Sequence, residues 1–242
     1  MCFLVPISFV PKTVTWSPAP PTTHVETGFV HLWRVDLDAD SVDFPANILS
    51  ADELARVARF YFARDRIRCE RRRVVLRLVL SKYLGRAAKE LRFHYGPTGK
   101  PGLANGGSLR FSVSHSNGIA LYAVADGCET GVDIERIAHH FNWRPVANQF
   151  FSARESAFLF SLPEARQVKA FFAVWTQKEA YVKARGQGLN LGLDEFEVPM
   201  LSPEKKVDGF TITNLELGSE WSAALAVYGD PLSIRAWKWT GS

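Results

Sequence analysis

The sequence predicts an α+β fold made of two halves with a similar order of elements. In each half a strand is followed by two helices and then by several strands, without strict alternation of helix and strand. The order starts again near Gly131, a faint internal duplication that is visible in the elements more than in residue identity. We therefore divide the chain into a proline-rich tail (1–27), a first α+β half (28–129) and a second α+β half (130–242).

The composition is that of a folded protein without a membrane span. The chain has 242 residues and is 47% hydrophobic, which is enough to build one large core or two ordinary ones. Its net charge of +4 suits a polyanionic ligand without requiring nucleic acid. Three widely separated cysteines predict neither a disulfide framework nor a zinc site. The start lacks the basic region and cleavage site of a signal peptide, and no run reaches the roughly 18 apolar residues of a membrane helix. We expect a soluble, cytoplasmic protein.

The tail and the first predicted strand differ sharply in pattern. Residues 1–27 contain five prolines, which favour an extended segment lying on or off the body and contributing little to an active site. The segment GFVHLWRVDLD (28–38) then alternates apolar and polar residues, as a half-buried strand does.

Two helices and a hairpin complete the first half. Ser50 and Glu53 form a capping box for a helix over Ser50–Phe60, and a longer helix over Ile67–Leu84 ends at Gly85. A glycine-rich loop (96–107) follows the segment LRFHYG. The segments FSVSHS and IALYAVA flank an Asn-Gly pair at 117–118, which predicts a tight hairpin.

The second half repeats this order. GVDIERI (131–137) is a predicted strand, Ser152 and Glu155 form a second capping box, and a helix over Phe171–Ala184 closes near Gly186. The segments FEVPM, FTITNLEL and SAALAVYG are the predicted final strands.

Two carboxylates share one face of the GVDIE strand. The period of two places Asp133 and Glu135 on the same side, about 7 Å apart at Cα. Carboxylates at this spacing can hold a hard cation such as Mg²⁺. A strand with a polar, solvated face has the same pattern, so the spacing alone leaves both interpretations open.

Three charged residues of the helix WTQKEAYVKAR, Lys178, Glu179 and Lys183, are candidate site residues. Lys178 falls within the apolar arc, where an ammonium needs a carboxylate, a ligand or a route to solvent. A structural ion pair and a ligand-binding role both remain open for it. Glu179 and Lys183 have the i, i+4 spacing of a helix salt bridge, which by itself needs no function.

Basic residues elsewhere suggest an anionic ligand. Between Arg56 and Arg77 the chain has nine arginines and two acids, a pattern that suits a solvated helix face, a nucleic-acid surface or a funnel for a polyphosphate. His115 ends a predicted strand, and Lys100 lies in the glycine-rich loop. Either could grip a phosphate or have a structural or solvated role.

Five segments taken in order resemble the Sfp-type 4′-phosphopantetheinyl transferases. They are GKPGL, FSVSHS, GVDIE, FFSARE and WTQKEAYVKARGQGL, and the resemblance covers about Gly28–Ser242. It implies a monomeric pseudo-dimer of two similar α+β halves, with coenzyme A bound in the cleft between them.

The resemblance also implies roles for individual residues. It assigns Asp133, Glu135 and Glu179 to Mg²⁺ and the pyrophosphate of coenzyme A. The basic and polar residues that it assigns to coenzyme A are Lys183 at the pyrophosphate, His115 with its neighbour Ser114 and Lys100 at the 3′-phosphate end, Arg68, Arg56 and Arg59 at the nucleotide, and Lys178. Ala63 departs from the family pattern, which has a basic residue in this region.

The implied reaction is transfer of 4′-phosphopantetheine to a serine of an apo acyl or peptidyl carrier protein, with release of 3′,5′-ADP. Glu179 and Lys183 would be the catalytic residues, with Glu179 as general base; Glu135 or water are the alternatives for the base. We expect neither nucleic acid nor membrane as a partner. A Mg²⁺-dependent nucleotide phosphohydrolase and a basic nucleic-acid-binding protein remain as competing functions.

Overall fold

A computed structural model describes residues 11–21, 23–40, 44–186, 188, 191–198, 200, 204–230 and 233–241. This part of the chain contains twelve strands and five α-helices. The strands are β1 (Lys12–Thr13), β2 (Trp16–Pro18), β3 (Phe29–Asp36), β4 (Phe93–Tyr95), β5 (Pro101–Leu103), β6 (Leu109–Ser116), β7 (Ile119–Asp126), β8 (Thr130–Arg136), β9 (Glu204–Val207), β10 (Phe210–Glu216), β11 (Trp221–Tyr228) and β12 (Ser233–Lys238). The helices are α1 (Ala51–Ala58), α2 (Ala63–Leu84), α3 (Arg144–Phe150), α4 (Ala153–Ser161) and α5 (Glu164–Arg185).

Two five-stranded sheets form the body, which confirms the α+β class. The first sheet has the order β2-β12-β3-β7-β6, and the second has the order β1-β10-β11-β8 with β9 paired to β10. Apolar residues of both sheets, such as Leu121 and Ile134, meet in one core cluster. Helix α2 packs on the first sheet through residues such as Val79. Helix α5 packs on the second sheet through residues such as Phe171. Each sheet is therefore covered by one long helix.

The local predictions are largely confirmed. The N–H of Ser50 donates to the carboxylate of Glu53 at 2.9 Å, as the capping box predicts. Both long helices end as predicted at glycines with positive φ, +60° at Gly85 and +68° at Gly186. They begin earlier than predicted, however, and α4 is a separate short helix before α5. Because packing of the apolar faces extends a helix beyond its strongest local signal, starts are harder to predict than glycine-terminated ends.

The prediction of a strand at FEVPM is wrong. Residues 196–198 form no strand in the structure. Their backbone is instead held by side chains, since the carbonyl of Phe196 accepts a bond from Lys178 and the N–H of Val198 donates to Glu155. These backbone groups bind a buried ion pair in place of a neighbouring strand.

The chain termini connect the two sheets. Strand β1 pairs in parallel with β10 of the second sheet, and β2 pairs in parallel with β12 of the first. Strand β12 comes from the end of the chain but lies between β2 and β3. From residue 11 onward the proline-rich segment is thus part of both sheets rather than an appendage, while residues 1–10 lie outside the described residues.

We expect deletion of residues 1–18 to lower the thermal midpoint by about 5 °C relative to deletion of residues 1–10. The longer deletion removes both short strands and the side chain of Trp16, which packs against the core cluster shared by the sheets. Calorimetry on the two truncated proteins checks this. Equal midpoints would show that the paired segment contributes nothing to stability.

Candidate functional site

Close packing of α5 on β8 builds the centre of the site. A Cβ atom added to Gly131 would lie 2.0 Å from the carbonyl oxygen of Ala180 and 2.4 Å from the backbone nitrogen of Ala184. Only glycine lets the helix backbone come this close to the strand. As a result, Lys183 on the helix reaches Asp133 on the strand, with Nζ 2.6 Å from Oδ1.

Asp133 is a buried carboxylate with one oxygen fully engaged and one free. The residue is 2% exposed. Its Oδ1 accepts from Ser114 Oγ at 2.7 Å as well as from Lys183. Its Oδ2 is buried and accepts no hydrogen bond from any described residue. A buried carboxylate oxygen without a partner is costly, and this one therefore indicates a ligand position.

Three serines of β6 join the two sheets at this point. Their hydroxyl oxygens accept from backbone N–H groups of β8 at 3.1 to 3.4 Å, so side chains replace an interstrand backbone ladder. Two of them also donate to carboxylates, Ser114 to Asp133 at 2.7 Å and Ser116 to Glu135 at 2.9 Å. The alternation in FSVSHS therefore orients the acidic face of β8. The three pairs are Ser112 with Val132, Ser114 with Ile134, and Ser116 with Arg136.

The carboxylates near Asp133 are destabilised in their charged form. Burial, followed by the charge of Asp133, raises the pKa of Glu135 to about 7. Burial and the charge of Asp133 also raise the pKa of Glu179, against the opposing effect of Lys183. Negative charges held close together favour either proton uptake or a nearby cation.

These acids line one side of a cleft of about 530 Å³. The residues that the sequence predicts for the site and that line this cleft are Ser114, His115, Asp133, Glu135, Glu179 and Lys183. The opposite side comes from α2, with Arg72, Arg73 and Leu76. One cleft thus has an acidic wall from β8 and α5 and a basic wall from α2.

His115 lies against the basic wall. Nη1 of Arg72 is 2.6 Å from its Nδ1 and 2.5 Å from its Nε2. Although the residue keeps an exposed edge, partial burial lowers its pKa to about 4, helped by the positive charges of Arg72, Lys183 and Arg68. The imidazole is therefore neutral near pH 7.

Arg72 and Arg73 are site residues that the sequence analysis did not single out. Arg72 follows Arg68 by four residues on the same helix and so lies on the same face. This spacing is the signal by which the sequence could have indicated Arg72. Arg73 pairs with Glu53 and also donates to the hydroxyl of Tyr95 at 2.7 Å. Nine arginines in one stripe could not be ranked without knowing which face of α2 meets the second half.

Lys100 lies in an adjoining pocket of about 280 Å³, separate from His115. The pocket shares Glu179 and Lys183 with the main cleft, so the two spaces adjoin. The Lys100 ammonium is 3.2 Å from the carboxylate of Glu129 and donates to the carbonyl of Ala184 at 3.1 Å. Lys100 and His115 are therefore not brought together around one small pocket.

Lys178 is not in the cleft. Its ammonium is 2.8 Å from the carboxylate of Glu155, and both side chains are 0% exposed. It also donates to the carbonyls of Leu193 and Phe196 at 2.6 and 2.7 Å. The sequence leaves a structural ion pair and a ligand-binding role open for Lys178, and the structure shows the ion pair.

The three arginines predicted to hold a nucleotide do not line the cleft. The Arg56 guanidinium lies over the Tyr95 ring, 3.9 Å from its centroid. Arg59 is exposed. Arg68 pairs with Asp38 beside the hairpin turn. Of the three, only Arg68 is coupled to the site, through its effect on the pKa of His115.

The donor chemistry of the cleft fits a hard cation, although its carboxylates do not converge. Within the described residues, no three His, Cys, Asp or Glu side chains lie close enough together to form a metal site. The free Oδ2 of Asp133 and the raised pKa values of Glu135 and Glu179 nevertheless fit a cation beside them, because a nearby positive charge would offset the burial and mutual repulsion of these carboxylates. Across the same described ranges, no helix combines the length and apolarity needed to cross a bilayer.

Comparisons with known proteins identify the family of the chain. One family model, described as the 4′-phosphopantetheinyl transferase superfamily, matches residues 129–226, and another, described as 4′-phosphopantetheinyl transferase, N-terminal, matches residues 38–126. The 4′-phosphopantetheinyl transferase HetI of Nostoc sp. is 36% identical over 232 residues, or 92% of this chain and 98% of the relative. The 4′-phosphopantetheinyl transferase ffp of Bacillus subtilis is 31% identical over 166 residues, or 67% of this chain and 71% of the relative.

Proposed function

The chain belongs to the 4′-phosphopantetheinyl transferase family and is an enzyme of that type, and from this premise we propose that it moves the 4′-phosphopantetheine group of coenzyme A, with Mg²⁺, onto a serine of an apo acyl or peptidyl carrier protein. The observation that carries the proposal is the cleft with Asp133, Glu135 and Glu179 on one wall and arginines on the other. A pyrophosphate with a bound cation suits such a distribution of charge.

Each half supplies one wall of the proposed coenzyme A site. Helix α2, within residues 28–129, provides Arg72 and Arg73, and the neutral ring of His115 lies beside them. Strand β8 and helix α5, within residues 130–242, provide the acids and Lys183. A monomer with both halves therefore contains the complete cleft, which supports our expectation of a monomeric enzyme.

The proposed transfer needs charge neutralisation and a proton acceptor. Mg²⁺, held by Asp133, Glu135 and Glu179, would neutralise negative charge on the pyrophosphate. Lys183, anchored by Asp133, lines the cleft and would contact the phosphates during displacement. The carrier serine oxygen forms a bond to the β-phosphorus while the bond to the departing 3′,5′-ADP oxygen breaks.

Glu179 is the proposed acceptor of the serine proton. Its raised pKa in the metal-free protein supports this role, whereas a cation held by the same carboxylate would lower that pKa and weaken the base. Glu135 has a pKa of about 7 and is the alternative within the same cleft, as is a water molecule. Comparing the transfer rates of Glu179→Gln and Glu135→Gln across pH would show which of the two carboxylates accepts the proton.

Mass spectrometry tests the proposed function directly. The protein is incubated with coenzyme A, Mg²⁺ and an apo acyl carrier protein, and the carrier is then weighed beside a variant that lacks its acceptor serine. A gain of one phosphopantetheine on the intact carrier alone supports the proposal. Release of a nucleotide without any gain in carrier mass would favour a phosphohydrolase instead.

We expect Glu135→Gln to stabilise the ligand-free protein at pH 8 by about 1 to 3 kcal/mol. The folded-state pKa of Glu135 is about 7 against an ordinary value of 4.5, so the folded protein binds more protons than the unfolded chain between these values. Stability of the wild type is therefore lost as the pH rises through this window, and the variant removes that loss.

Urea unfolding in the presence of a chelator, from pH 5 to pH 8, measures this difference. The gap between variant and wild type should grow with pH, because titrations elsewhere in the protein are common to both. A gap that stays constant over this range would contradict the raised pKa.

A further inference from the structure

Exposed apolar side chains concentrate at one corner of the protein. Among the described residues, eight large hydrophobic side chains are at least 41% exposed, and five of these lie between residues 54 and 67. Tyr61 and Phe62 are the most exposed of all, at 87% and 66%. We call this group, at the junction of α1 and α2, the aromatic corner. Its members are Leu54, Phe60, Tyr61, Phe62 and Ile67.

The aromatic corner is held in a defined conformation. Nη1 of Arg66 donates to the carbonyls of Phe60 and Tyr61 at 3.1 and 3.3 Å, which ties the junction to the first turn of α2. The rings of Tyr61 and Phe62 make an edge-to-face contact with centroids 5.1 Å apart. Contiguous apolar groups kept exposed by an ordered backbone are typical of a binding surface.

The surroundings of the corner are strongly basic. Residues 54–67 contain four arginines and one acid, an excess of three positive charges in a chain whose net charge is +4. Arg59 and Arg64 are exposed, and neither forms an ion pair with another residue of the described ranges. An apolar patch ringed by arginine complements a partner surface that presents apolar side chains among Asp and Glu.

Helix α2 connects this corner to the cleft. Arg72 lines the cleft ten residues after Phe62, which is about 15 Å along a helix axis. A protein substrate must place its acceptor serine in that cleft, so a contact at the start of α2 can position it.

We propose that the aromatic corner is the docking surface for the protein substrate, and that it recognises an acidic surface carrying exposed apolar side chains. This inference rests on the proposed function, because it takes the substrate to be a protein whose serine enters the cleft. It goes beyond the proposed function by identifying the surface that binds this substrate and the chemistry of the contact.

The test compares two double variants at exposed positions. Tyr61→Ser with Phe62→Ser removes the centre of the corner, and Tyr228→Ser with Phe160→Ser is the matched control at exposed aromatics elsewhere, which are 57% and 43% exposed. For the corner variant we expect KM for the apo acyl carrier protein to rise at least tenfold. We expect kcat at saturating carrier, and the affinity for coenzyme A measured by calorimetry, to stay within twofold.

Charge is tested separately. Arg64→Glu should raise KM for the carrier severalfold and flatten its dependence on salt, because it reverses one steering charge. Unchanged KM in both the corner variant and Arg64→Glu would overturn the proposal, as would an equal rise in the control.

Direct binding keeps the docking proposal separate from the proposed function. Calorimetric titration of the apo acyl carrier protein into wild type and corner variant needs no transfer, and weaker binding by the corner variant alone supports the docking surface. A wild type that transfers normally, together with equal binding by both, would overturn docking alone. Loss of binding to phosphatidylserine vesicles with an unchanged carrier KM would assign the corner to a membrane and would likewise overturn it.

Discussion

Replacing Asp133 by Asn is expected to reduce phosphopantetheine transfer by at least about 100-fold while the fold persists. The carboxylate is 2% exposed and anchors Lys183 at 2.6 Å, and its second oxygen has no partner within the described residues. Asparagine keeps the shape but removes the charge that would hold both Lys183 and a cation. Relief of repulsion at Glu135 and Glu179 offsets part of the lost ion pair, so the variant remains folded.

Thermal shifts with Mg²⁺, coenzyme A and both ligands, beside the mass of the carrier, measure this effect. We expect Mg²⁺ to stabilise the wild type by binding to the folded state, and Asp133→Asn should lose most of this stabilisation. Asp126→Asn, at an exposed position, is the control and should behave as wild type. A normal response to Mg²⁺ together with near-normal transfer in Asp133→Asn would contradict both the metal site and the proposed mechanism.

Replacing Glu155 by Gln is expected to lower the free energy of unfolding by about 3 to 5 kcal/mol. The carboxylate accepts from the Lys178 ammonium at 2.8 Å and from the N–H groups of Ser152 and Val198 at 2.9 Å. A glutamine presents one carbonyl oxygen to these three donors. It also leaves the Lys178 charge buried and uncompensated, and burial already lowers the pKa of that ammonium.

Urea unfolding of three variants isolates the buried pair. Glu155→Gln with Lys178→Met should recover part of the loss, because no uncompensated charge then remains inside. Arg154→Ala removes the exposed pair with Glu197, where the arginine side chain is 76% exposed, and should cost less than about 1 kcal/mol. Wild-type stability in the single variant Glu155→Gln would contradict the structural role of this ion pair.

Asp133 and Glu155 both lie in segments that resemble the family, yet their surroundings give them different roles. Asp133 faces α5 from an edge strand and keeps an oxygen free. Glu155 faces the interior, and its carboxylate is saturated by donors from three segments of chain. Two adjacent residues of the α5 motif therefore differ in role: Lys178 forms the buried ion pair with Glu155, and Glu179 lines the cleft.

Features that depend on near neighbours can be predicted from the sequence. Capping at Ser50, helix ends at Gly85 and Gly186, and the hairpin turn at 117–118 are encoded within a few residues, because the hydrogen bonds involved join groups close along the chain. The placement of Asp133 and Glu135 on one strand face follows from the same local geometry.

Which of these residues meet depends on how the whole chain packs. Lys178 and Glu179 are adjacent in the chain, yet one contacts Glu155 and the other lines the cleft, a division set by what packs on each face of α5. Arg72 lines the same cleft as Asp133 and Glu135 because α2 and β8 come together in the folded chain. Strand β12 lies far along the chain from β2 and β3, yet it pairs between them in the first sheet. Such contacts join segments tens to hundreds of residues apart. They depend on the packing of the whole core, which no local pattern specifies.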